Sequence, residues 1–172
     1  MQSNFLKQGC VVEVKSLFYY NWQVRDEWFK ALETVPDTEL WRERNGGLGS
    51  FLKTMLHLID VEYSWVRAVN NETDIPIQMD EYKDLKSVKE LSDRLRMELR
   101  VFIEQWQDEM EYEQVTSSWG GETFYKSEIM RHVIVHEVHH VGQLSIWAKE
   151  IGIPVVSANF IDRDLMKPST VR

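Results

Sequence analysis

The chain has 172 residues, 43% of them hydrophobic and 12% aromatic, with only four Pro and eight Gly. At this size a single domain spanning 1–172 can bury roughly 70% of the surface its unfolded chain exposes, and this composition argues against disorder. The formal charge of −8 and basic residues interspersed with acidic ones, as in Arg94-Leu95-Arg96-Met97-Glu98, argue against nucleic acid as a partner.

The opening residues, Met1-Gln2-Ser3-Asn4-Phe5-Leu6-Lys7, lack a cationic run leading into an apolar stretch, and no window approaches a membrane span. The lone Cys10 cannot close an intramolecular disulfide, which fits a reducing cytoplasm; it reads as an ordinary thiol. From about Cys10 to Thr34, Val14, Leu17, Val24, Trp28 and Ala31 recur in steps of three and four, the spacing of one helix face. Asn21 falls on that stripe, so it is either a buried amide needing partners or a site residue. Pro36 and then Gly46, Gly47 and Gly49 break the pattern.

Ser50 is placed to cap a second helix running to Val69, with Leu52, Met55, Leu56, Ile59, Tyr63 and Val66 on its main face. A second stripe of His57, Val61, Ser64 and Ala68 predicts a helix enclosed on two sides, with a histidine pointing into the bundle. Residues 70–86 read as a long polar crossover. Ser87-Val88-Lys89-Glu90 has the form of a capping box for a third helix that reaches about Met110. β-Forming residues flank Trp119-Gly120-Gly121 and predict an irregular segment or hairpin. A fourth helix is expected from near Ser127 to about Glu150, stopped by Gly152 and Pro154. Four long helices with one crossover and no repeat give an all-α four-helix bundle.

All five histidines lie in two of these helices, and His132, His136, His139 and His140 fall within nine residues. His136 and His140 are one turn apart, so their rings can converge on one ion. Imidazole nitrogens suit zinc, nickel, copper or iron, whereas calcium and magnesium prefer oxygen. His136-Glu137-Val138-His139-His140 also satisfies the His-Glu-x-x-His pattern of zinc peptidases, with Glu137 as general base. It lacks the metzincin extension, and no sheet to align a peptide precedes it.

His136-Glu137-Val138-His139-His140-Val141-Gly142-Gln143 resembles the His-x-x-x-His-x-Gly-Gln signature of the DinB-like damage-inducible family, which is distinct from the DNA polymerase sharing that name. Leu56-His57-Leu58-Ile59-Asp60-Val61-Glu62-Tyr63-Ser64-Trp65 is similar to the family's second-helix segment, and Tyr20-Asn21-Trp22 and Trp119-Gly120 also look like family features. The resemblance implies an up-down-down-up bundle, commonly a homodimer, with His57, His136 and His140 as ligands to one divalent transition metal, zinc or nickel foremost. His132 and His139 do not correspond to family ligands. Val141 stands where many members carry Arg, which puts an anion-binding role for that position in doubt. Asn21, Glu62, Glu137 and Gln143 are candidates for supporting the ligands or contacting a bound molecule. An open tri-histidine site can lower the pKa of a bound thiol, and some relatives use low-molecular-weight thiols in transfer chemistry. The expected function is therefore a metal-dependent thiol transferase, with a non-catalytic metal-binding stress protein as the alternative and a hydrolase or peptidase behind both.

Overall fold

The computed structural model describes residues 14–165. Cys10, and with it the expected start of the first helix, lies outside the described residues. Four long helices carry the fold: α1 Val14–Leu32, α3 Phe51–Val69, α4 Leu85–Gln105 and α5 Lys126–Glu150. A four-residue helix, α2 (Asp37–Leu40), follows Pro36, and a two-stranded hairpin, β1 Gln114–Thr116 with β2 Thr123–Tyr125, precedes α5. The strands pair antiparallel, with Val115 opposite Phe124.

Side-chain bonds give the helix directions. Asn21 and Arg25 of α1 reach Ile134 and Glu137 of α5 in ascending order, so α1 and α5 run parallel. Asp26 meets Arg96, and Asp37, beyond the end of α1, meets Leu85, so α1 and α4 run antiparallel. Phe51 packs on Trp147 and Trp65 on His132, which makes α3 antiparallel to α5. The order is thus up, down, down, up, and the connection from Asn70 to Asp84 is the crossover between the two parallel helices α3 and α4. One buried cluster runs through all four long helices, with Phe18, Trp28, Phe29, Met55, Leu56, Ile103 and Leu144 at or near zero exposure.

Ser50 caps α3 as expected, its hydroxyl accepting from Lys53 N at 3.2 Å. The cap of α4 is a correction: Asp84 accepts from Ser87 N at 2.7 Å, and the helix begins three residues before the Ser87–Glu90 box implies. Starting earlier adds most of a turn and packs Leu85 against the core, its N–H donating to Asp37. At the other end α4 stops at Gln105 rather than near Met110, because Trp106 turns inward to be buried. The acidic run Asp108, Glu109 and Glu111 would also oppose the dipole at a helix C-terminus; it forms a separate 3-10 turn over Asp108–Tyr112. After α5, residues 153–165 return along α1, where Tyr20 Oη donates to Ala158 O and Arg163 pairs with Glu27.

Candidate metal centre

His57 projects from α3, and His136 and His140 project from successive turns of α5. His136 Nε2 lies 3.1 Å from His57 Nε2 and 3.2 Å from His140 Nε2. The ligand-capable atoms of all three lie within 4.8 Å of one another. His140 is buried, while His57 and His136 are half-buried with one side toward solvent.

Gln143, one turn beyond His140, accepts a hydrogen bond from His140 Nδ1 at 2.8 Å. That bond places the proton on Nδ1 and leaves Nε2 as a lone pair aimed at the cluster. The Gln143 amide nitrogen is also engaged, with Nε2 donating to His139 Nε2 at 3.0 Å. From the other side Gly47 closes over Gln143: a Cβ there would sit 2.5 Å from Gln143 Oε1, and the Gly47 φ of +54° is itself one that favours glycine. The glycine loop, a mere helix break in the sequence, therefore seats the residue that orients His140.

Desolvation lowers the pKa of all three imidazoles, and neighbouring histidines add to it. His136, between the other two, is brought to about 4. The rings are therefore neutral near pH 7. One proton on His136 Nε2 can satisfy only one of its two neighbours, so the cluster cannot complete its own hydrogen bonding. One cation can accept all three lone pairs. Nitrogens about 2.0–2.1 Å from a shared tetrahedral zinc ion stand roughly 3.3 Å apart, close to the separations found. The residues present fit a transition metal with at least one further coordination position.

The other candidate residues lie elsewhere. Glu62 and Glu137 do not support the histidines; both bind Arg25, which is 1% exposed at the centre of the bundle. Arg25 Nη1 and Nη2 donate to Glu62 at 3.0 and 2.9 Å, and Nε donates to Glu137 Oε1 at 2.8 Å. Trp22 Nε1 donates to Glu62 as well, at 3.0 Å. Burial works against the charge on Arg25, but the two carboxylates more than offset it. Burial also pushes the Glu137 carboxyl up, and Arg25 pulls it back only in part. Glu137, 2% exposed and held by Arg25, is thus not the solvent-facing general base that the peptidase pattern requires. Asn21 is buried and donates to Ile134 O at 3.3 Å, tying α1 to α5. His132 and His139 are exposed.

Arg25 is the residue missed in the sequence. Its signal was its place on the α1 stripe, four residues after Asn21 and three before Trp28, where an unpaired charge would be untenable.

Comparison with known proteins bears on the family and the fold. A model of the DinB family matches residues 1–168. The chain is 44% identical over 149 residues to the uncharacterized protein YizA of Bacillus subtilis (strain 168), covering 86% of this chain and 94% of YizA. A crystal structure of a DinB-like protein from Bacillus cereus ATCC 10987 superposes with a TM-score of 0.57 at 19% identity, over 81% of this chain and 94% of the other. That likeness concerns the fold.

Proposed function

This chain belongs to the DinB family, and on that premise we propose that His57, His136 and His140 hold one divalent transition metal, zinc or nickel, in a thiol-dependent transferase. The observation that carries the reading is the convergence of three neutral imidazole nitrogens that cannot satisfy one another. Such an ion supplies Lewis acidity, favouring the anionic, nucleophilic form of a thiol near neutral pH. The protein's own part is to fix and exclude. Gln143 sets the tautomer of His140, desolvation keeps the rings unprotonated, and the half-exposed side of His57 and His136 leaves an approach for a small molecule.

Glu62 and Glu137 are both committed to Arg25, and Asp60, three residues after His57, accepts a hydrogen bond from the backbone of Ile77. This favours chemistry that needs no protein base, such as attack by a pre-formed thiolate, over hydrolysis. The same observation is what recommends the second reading, a metal-binding stress protein without catalysis. The reading takes the protein as a cytoplasmic homodimer. Among the described residues no helix is long and apolar enough to cross a membrane. Val135, Val138 and Ile146 form an exposed apolar stripe along α5 with Gly142 among them, a face suited to a close helix pairing.

Metal-loaded protein is to be incubated with bacillithiol, mycothiol or glutathione and a chloro-nitroaromatic acceptor. One metal per chain with metal-dependent turnover, both lost in His57→Ala, supports the transferase. Stoichiometric metal without turnover for any thiol leaves the stress-protein reading, and protein that binds no transition metal overturns both.

A further inference from the structure

A cavity of about 300 Å³ opens where the hairpin meets the first turns of α5. Trp65 of α3, Phe124 of β2 and Glu128, Ile129 and His132 of α5 line it. Trp65 is its fixed wall. The Trp65 ring centroid lies 4.8 Å from Trp119, 5.8 Å from Phe124 and 6.0 Å from His132, with interplanar angles of 78°, 78° and 71°. Three near-perpendicular neighbours hold the indole upright. His132 in turn lies 5.5 Å from the ring of His136, so this cavity and the histidine cluster meet at a shared ring contact.

We infer that the cavity binds the planar aromatic ring of a neutral small molecule, and that in the proposed reaction it is the subsite for the electrophilic acceptor. The acceptor role rests on the proposed function; the binding does not. An apolar cavity of roughly 150 Å³ is enough to take benzene, so this one has room for a single substituted ring. Aromatic walls favour edge and offset contacts that an aliphatic guest of equal size cannot make. Glu128 is the charged group in the lining, and its Oε2 accepts from Tyr125 N at 2.9 Å at the start of α5; the other lining residues, Trp65, Phe124, Ile129 and His132, present rings and an aliphatic chain. Neither His132 nor the Trp65–Trp119–Phe124 group had a role in the metal centre, and this reading gives them one.

Nitrobenzene and nitrocyclohexane, matched in size and polar group, are to be titrated into the full-length protein with ¹⁵N-labelled Trp, reading the indole signals of Trp65 and Trp119. Nitrobenzene is expected to bind roughly tenfold more tightly and to shift both signals. Trp65→Leu and Phe124→Leu keep apolar bulk but remove a ring, and each is expected to weaken nitrobenzene severalfold while leaving nitrocyclohexane and the metal content unchanged. His57→Ala is expected to lose metal and keep nitrobenzene, which separates failure of the metal reading from failure of this one. Equal affinity for the two guests, shifts confined to other tryptophans, or an affinity that depends on protein concentration, as when a second copy covers the cavity, would overturn the inference.

Discussion

The bundle contains two polar clusters that both draw on α3 and α5, one buried around Arg25 of α1 and one half-buried around the histidines, and they differ in whether the chain completes them. The Arg25 cluster takes Glu62 from α3 and Glu137 from α5; the histidine cluster takes His57 from α3 and His136 and His140 from α5. Glu137 directly follows His136, yet the two side chains serve different clusters, because successive residues on a helix point about 100° apart. Around Arg25 each of the three guanidinium nitrogens donates to a carboxylate and each carboxylate has a donor. Among the histidines, His136 Nε2 meets two imidazole nitrogens and can complete a hydrogen bond with only one of them. A polar cluster that closes on itself can organise a fold without a ligand, whereas an incomplete one is compatible with metal binding.

The strongest way to break this contrast is to open the closed cluster. Arg25→Met strands two buried carboxylates and should cost about 3–5 kcal/mol of stability, measured as a lower urea midpoint for unfolding. A cost below about 1 kcal/mol would mean that the carboxylates find water or protons instead. The open cluster should respond in the opposite manner. His136→Ala is expected to weaken metal binding by more than about 100-fold, beyond what loss of a supporting group causes, yet to change the stability of the metal-free protein by under ~1 kcal/mol. Competition with a chelator and urea unfolding of the apo form read the two quantities separately.

Smaller effects sharpen the same distinction. Gln143→Leu frees the His140 tautomer and should cost roughly 10–100-fold in metal affinity. Gly47→Ala, which pushes on the Gln143 carboxamide, should move affinity in the same direction by less. Normal affinity in both would remove Gln143 from the centre.

The histidine cluster also sets a pH dependence. Lowered folded-state pKa values mean that the unfolded chain binds more protons than the metal-free native state below the ordinary histidine value of about 6.5. Stability contributed by these rings is therefore complete above about 6.5 and lost as pH falls toward the value of about 4 for His136. Unfolding curves of the apo protein across that window should slope accordingly, and the slope should flatten in His136→Ala.

Much of the fold was legible because helix periodicity and caps are local. Ser50, the second-helix face and the hairpin around Trp119-Gly120-Gly121 are where the sequence puts them. The Ser87–Glu90 box misled because a second local cap, Asp84, lies three residues upstream, and only the packing of Leu85 against the core decides between them. The return of residues 153–165 along α1 has no periodic signal and depends on Tyr20, Glu27 and Arg163 meeting across more than a hundred residues.

The histidines show the same division. By itself the sequence determined that His136 and His140 share a helix face one turn apart, since that follows from 3.6 residues per turn. The stripe on the second helix and the family resemblance singled out His57 as the third member, and the tertiary structure brings its ring to the pair; only the tertiary structure decided that Glu62 and Glu137 turn away to Arg25 and that Gly47 presses on Gln143. Each of these pairs residues from different elements, and their meeting is set by how helices pack rather than by spacing along any one of them.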